Sequence, residues 1–196
     1  MRASFAIAPV LIVLVLPAPT RAVQSASVNS DASVLAAFDQ RVKAYADLRD
    51  KVDHGQAALK ETRDPAKIAA AQDVLAARIR TARAGAKPGD IFSPDIQRMF
   101  HRLLQPELKG KKGAETKAAI KDEAPGAMTL KVNTRYPEKA PLSTVPPNVL
   151  ASLPKLPEGL EYRFVSTHLI LLDGRANLIV DFIPDVLPAS PAGAKK

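Results

Sequence analysis

Apolar periodicity and proline placement predict an α+β fold: an N-terminal antiparallel helical hairpin with a closing helix, followed by a small antiparallel β-sheet. The first observation is a pair of apolar stripes, at spacings of three and four residues, separated at Thr62-Arg-Asp-Pro65. Such spacing holds one helix face against a partner, and a short turn between two such helices makes them antiparallel. The second is a dense apolar face over residues 96–104. The third is a change of character at Pro125-Gly126, after which apolar residues come in short alternating runs. Nine of the seventeen prolines lie between Pro137 and Pro191. The helical region therefore spans 31–124 and the β-rich region 125–186.

Residues 1–22 stand apart from both. Arg2 precedes an apolar run from Phe5 to Leu16, and Pro17-Ala-Pro-Thr-Arg-Ala22 follows. A charged start, a short apolar centre and small residues for cleavage are the layout of a secretory signal. The centre is about a dozen residues long, against the roughly twenty that a bilayer-spanning helix needs. Cleavage is expected after Ala22, with an uncleaved membrane anchor as the rival. A periplasmic or secreted location follows, with no transmembrane helix once the signal is removed. Val23 to Ser30, rich in Ser, Ala and Asn, reads as a flexible leader.

The first helix opens at Asp31 and carries Leu35, Phe38, Val42, Tyr45, Leu48 and Val52 on one stripe. It can continue through Leu59, although Gly55 weakens it by about 1 kcal/mol relative to alanine. Asp64 is placed to accept backbone N–H groups as an N-cap, and Pro65 suits the first turn, where no N–H is needed. The second helix presents Ile68, Ala71, Leu75, Ile79 and Ala82. Lys87-Pro-Gly-Asp90 breaks it. Ser93 and Pro94 start a third helix, whose face of Ile96, Met99, Phe100, Leu103 and Leu104 closes the hairpin from the side. Lys109 to Gly113 reads as an exposed loop and Ala114 to Lys121 as a small fourth helix.

In the second half, Leu130 to Thr134 alternates like a strand, and Pro146 to Leu153 fits one or two helical turns. Three strand-like runs follow: Leu160 to Val165, His168 to Leu172, and Asn177 to Ile183. Asp173-Gly174 is a favoured hairpin pair between the last two. Pro184 and Pro188 end the sheet, and 187–196 reads as a disordered tail. No internal repeat is present.

Composition bounds the chemistry. Without its signal the chain has about 174 residues, enough for one domain or two small ones. It has no cysteine, which excludes disulfide staples, thiolate nucleophiles and cysteine-based zinc sites. The formal net charge is +8; losing Arg2 and Arg21 leaves about +6, spread along the chain. That excess favours solubility and weak attraction to anionic glycans or headgroups, and nucleic acid is not an expected partner.

The blocks Ala86-Lys-Pro-Gly-Asp-Ile-Phe-Ser-Pro94, Leu156-Pro-Glu-Gly-Leu-Glu-Tyr-Arg-Phe-Val165 and Ala176-Asn-Leu-Ile-Val-Asp-Phe-Ile183 resemble an exported bacterial protein family with no assigned activity. The resemblance spans most of the mature chain. It implies an exported protein and assigns no catalytic or binding residue. The terminal region, a Tyr-containing strand, a Leu-rich strand and an Asn/Val strand, is also similar to small periplasmic β-modules linked to metal homeostasis or envelope stress.

Searched for chemistry, the chain offers isolated residues rather than constellations. His54, His101 and His168 lack the spacing of three or four that converging metal ligands need on a helix. His101 lies off the Ile96/Phe100 stripe and His168 opens a strand, so both read as surface residues. Ser93, between Phe92 and Pro94, suits a cap, and no Gly-x-Ser-x-Gly elbow is present. Asp181, inside an apolar strand, shares a side with Ile179 and Ile183 at period two. Its expected place is the outer surface beside Arg163 or Arg175, and a paired or pKa-shifted carboxylate is the alternative. Lys109-Gly-Lys-Lys-Gly-Ala114 lacks the spacing of a phosphate loop. Arg78, Arg80 and Arg83 complement a helix C-terminus, or else meet an anionic polymer. The apolar stripe of the first helix reads as intramolecular packing, with partner docking as the alternative.

No catalytic, cofactor-binding or metal-ligating residue stands out, and no cofactor is expected. The reading is an exported envelope protein acting by interaction, with an envelope protein or an anionic polymer as partner. Two alternatives accompany it: a small exported hydrolase using Asp181 and a histidine between helices and sheet, and a binder of anionic envelope polymers.

Overall fold

The computed structural model describes residues 21–53, 63–124, 128–137, 139–141 and 143–187, with side chains from residue 30 onward. Helices come first: α1 (Arg21–Asp53), α2 (Pro65–Ala82), α3 (Pro94–Leu104), a 3-10 turn (Pro106–Leu108) and α4 (Gly110–Glu123). Then come β1 (Thr134–Arg135), α5 (Pro147–Ser152), β2 (Leu160–Val165), β3 (His168–Asp173) and β4 (Leu178–Ile183). The strands form one antiparallel sheet in the order β1-β4-β3-β2. The predicted α+β arrangement is the observed one. Among the described residues no helix is long and apolar enough to cross a membrane.

The α1–α2 hairpin is antiparallel: Arg78 reaches the Val52 carbonyl near the end of α1, while Arg83, five residues on, reaches back to Tyr45. Phe38, Val42 and Tyr45 of the expected stripe are buried, whereas Leu35 is exposed. On α2, Leu75, Ala76 and Ile79 form the buried face, and Ile68 stands outside it, about two turns before Leu75. Pro65 begins α2, and Asp64 accepts the Ala66 N–H at 3.0 Å. Asp64→Ala is expected to lose about 1 kcal/mol of stability, read as a lowered melting temperature with an unchanged helical spectrum.

The α3 face closes the hairpin as its periodicity requires. Phe38, Phe92 and Phe100 meet at centroid distances of 5.1–5.8 Å, and Tyr162 of β2 joins Phe100 at 5.9 Å. This aromatic knot ties α1, α3 and the turn before α3 to the sheet. The sheet's other face carries a smaller cluster around Tyr136, Ile170, Leu172 and Ile179, covered by Met128, Leu130 and Ala140.

Several boundaries differ from expectation. α1 already runs through 23–30, where neither Gly nor Pro interrupts it, instead of starting at Asp31 after a leader. α4 begins at Gly110, so Lys109–Gly113 is largely helix rather than loop. Gly113 is needed there: a Cβ would lie 2.3 Å from the Leu108 carbonyl carbon, so only glycine lets this turn pack so closely. The strand expected at Leu130–Thr134 shrinks to Thr134–Arg135, since Asn133 takes φ 62° and turns the chain just before the pairing with β4. Asp173 ends β3 and caps a loop of four residues, accepting from Arg175 and Ala176 N–H, instead of forming a two-residue turn with Gly174. Leu187 belongs to the fold rather than to a tail: it is buried and donates its N–H to the Thr167 carbonyl. Residues 1–20, His54, Gly55, Leu59 and 188–196 lie outside the described residues.

Candidate functional site

Two places combine unusual chemistry with position: a buried polar seam between helices and sheet, and an apolar groove beside β2. The seam begins on α1. Phe38, Val42, Tyr45, Arg49 and Val52 follow one stripe at spacings of four and three, so Arg49 is carried inward with its apolar neighbours and is 3% exposed. The Tyr45 hydroxyl donates to Asp173 Oδ2 at 2.8 Å, and Arg49 Nη1 lies 3.7 Å from the same oxygen. The latter is ion-pair proximity without a hydrogen bond. Burial, then the adjoining Asp173 carboxylate, raise the Tyr45 pKa far above its ordinary value, so this phenol stays protonated.

Arg83 continues the seam. Its guanidinium lies over the Tyr45 ring at 5.0 Å and donates to Asn133 Oδ1 at 2.9 Å. Longer contacts reach the Val180 carbonyl at 3.4 Å. Burial lowers its pKa, opposed by Tyr45 and by the carboxylates of Asp181 and Asp90. Arg83 thus ties α2 to β4, and Arg78 is engaged with Val52. Arg80 is exposed in the last turn of α2. The arginine run does not form one anion-binding patch.

Asp181 is the seam's other end, and its position corrects the expectation of an outer-surface carboxylate. It is fully buried and accepts backbone N–H groups from Gly89 (3.1 Å), Ile91 (2.8 Å), Phe92 (2.9 Å) and its own neighbour Phe182 (2.8 Å). The register explains the reversal. Leu171 pairs with Asp181 but Leu172 pairs with Ile179, leaving Val180 as an extra residue on β4. That bulge shifts the alternation by one, moving Asp181 from the side of Ile179 to the helix-facing side. There, Pro88-Gly89-Asp90 turns with Gly89 at φ 92°, and successive N–H groups converge on the carboxylate as a nest. The sequence blocks 86–94 and 176–183 therefore meet in space. Neither Arg163 nor Arg175 is its partner; they pair with Glu161 and with Asp50 and Asp53.

The remaining candidates stay apart. His101 is exposed on α3, and His168 accepts the Asp185 N–H on Nδ1 at 3.1 Å. Ser93 holds the N-cap position of α3, but its hydroxyl makes no capping hydrogen bond. Among the described residues no group of three His, Asp or Glu is placed to hold a metal ion.

The groove is the larger concavity, about 700 Å³, between α5 with its following Pro154–Leu156 segment and the outer edge of β2. Its wall is largely aliphatic, and Leu150 is 51% exposed beside it. A second hollow of about 480 Å³ opens across Pro154, Lys155 and Leu156, which line both. Several polar groups nearby are engaged, whereas Lys155 is exposed and Arg163 Nε is buried without a hydrogen-bond partner among the described residues. Tyr162 Oη donates to the Pro154 carbonyl, Ser143 Oγ bonds both the N–H and the C=O of Phe164, and Arg163 pairs with Glu161. Sequence reading missed this site. Its signal was the run Val145, Leu150, Leu153 and Leu156, apolar residues among prolines with no helix long enough to bury them all.

Comparison with protein-family models, with curated proteins and with solved structures finds no match for this chain.

Proposed function

We propose that this chain is an exported envelope protein that works by binding, a non-enzymatic interaction or accessory protein whose working surface is the groove beside β2. The observation that carries the reading is that groove: a wide aliphatic concavity with a half-exposed leucine at its rim. Sites that hold ligands are concave and mostly apolar, with few polar groups. The hydrolase alternative loses its main candidate, because both oxygens of Asp181 are engaged by backbone N–H groups. The polymer alternative is weakened because Arg78 and Arg83 are committed to carbonyls of the fold. Export is supported by the signal-like layout of residues 1–22.

One experiment addresses location and surface together. A photo-crosslinking residue is placed at position 150, beside the groove, or at position 74, an exposed valine on α2. After irradiation in the native host, the chain recovered from the envelope is weighed intact. Loss of residues 1–22 and a discrete adduct at 150 but not at 74 are expected. Retained Met1 sinks the cleaved-signal reading in favour of the uncleaved anchor, and equal or absent labelling at the two positions sinks the binding reading.

A further inference from the structure

We infer that the groove between α5 and β2 holds the hydrocarbon chain of a single-chain anionic amphiphile, whose carboxylate meets Lys155. The inference rests on the binding reading above and names its ligand class.

The wall selects hydrocarbon over peptide. Val145, Pro147, Leu150, Leu153, Leu156 and the ring of Tyr162 supply the contact. A peptide laid there would surrender the waters on its backbone amides, and Tyr162 Oη and Ser143 Oγ, both engaged within the fold, offer it no replacement. An alkyl chain has no such groups to desolvate and gains from burial along its whole length.

The charge selects the head group. Lys155 is exposed and lines both hollows, and among the described residues no carboxylate lies within ion-pairing distance of it. The other cation of the groove, Arg163, is paired with Glu161, so the site offers a single uncompensated positive charge, matching a monoanion. The second hollow carries Asp39, which places the carboxylate on the groove side of Lys155, away from that charge.

The test is calorimetric titration of the chain, as recovered from its host, with octanoate, decanoate and dodecanoate below their micellar concentrations. One dodecanoate per chain is expected, with binding tightening roughly tenfold for every two methylenes added. Leu150→Asp, at a half-exposed position, is expected to weaken every member at least tenfold. Lys155→Glu is expected to weaken dodecanoate about tenfold while strengthening dodecyltrimethylammonium. Both variants change exposed residues, and coincident circular dichroism spectra check that they fold. The inference is overturned if dodecanoate does not bind, if affinity ignores chain length, or if Lys155→Glu leaves the preference for anions intact. It is equally overturned if the chain sediments with phosphatidylglycerol vesicles but ignores monomeric dodecanoate, which would make this face a membrane-surface contact. Crosslinking at 150 without dodecanoate binding leaves the binding reading standing and removes only the ligand class.

Discussion

Phe100→Ala is expected to remove about 3–5 kcal/mol of folding stability, the combined loss of transfer energy and the cavity left behind. Phe100 is fully buried where Phe38, Phe92 and Tyr162 converge on it, so its removal loosens contacts between α1, the turn before α3, and β2 together. Aromatic pairs in such edge-to-face geometry add about 0.5–1.5 kcal/mol beyond area burial. Against a total stability of roughly 5–15 kcal/mol, the melting temperature should drop by about 10 °C. His101→Ala, one residue along and exposed, is expected to stay within about 0.5 kcal/mol of the parent. Thermal unfolding followed by circular dichroism decides the matter. A tolerated Phe100→Ala alongside a damaging His101→Ala would mean that this face of α3 is a working surface rather than core.

Asp181→Ala is expected to be of similar severity, roughly 3–5 kcal/mol, by a different route. The substitution leaves the N–H groups of Gly89, Ile91 and Phe92 without their acceptor, and a buried unsatisfied donor costs about 1–3 kcal/mol. The space vacated is small, so water can restore only part of the bonding. Asp181→Asn should be milder but still destabilising, because its amide keeps one acceptor and turns an N–H toward donors. Hydrogen exchange gives the local signature: the Ile91 and Phe92 amides should lose protection before the β2–β3 ladder does. If those two amides exchange as slowly in Asp181→Ala as in the parent, the carboxylate is not what holds the turn.

The contrast between these two residues locates the limit of reading the chain from its letters. Phe100 sits in a five-residue stripe at helical spacing, and periodicity alone carries it inward. The runs of β2, β3 and β4 were legible for the same reason, since alternation in short proline-bounded segments has few other meanings. Asp181 lay in one of those runs, yet its side was misassigned, because a single extra residue at Val180 reverses the parity of everything after it. Nothing local in Leu178-Ile-Val-Asp-Phe-Ile183 marks the bulge; the groups that Asp181 meets there lie some 90 residues earlier. Arg49 was legible and overlooked: it continues the spacing of Val42 and Tyr45, but a guanidinium on a buried stripe is discounted unless its partner is known. That partner, Asp173, was read as turn chemistry, a role it does fill with one oxygen while the other receives Tyr45. The groove escaped notice because it is made by a proline-rich connection whose apolar residues follow no regular period.

The pairing of Gly89 with Asp181 and of Tyr45 with Asp173 also bears on how the chain closes during synthesis. These contacts span 92 and 128 residues, and both acceptors lie within the last quarter of the chain. The helical layer can form its turns as it emerges, but the hydrogen-bonded seam that joins it to the sheet arrives only with β3 and β4. Contacts of such separation slow folding, because loop closure must precede their reward. Until β3 and β4 have been made the helical layer lacks these latches, which suits the proposed export: a polypeptide that has not yet closed can still be threaded through a translocation pore.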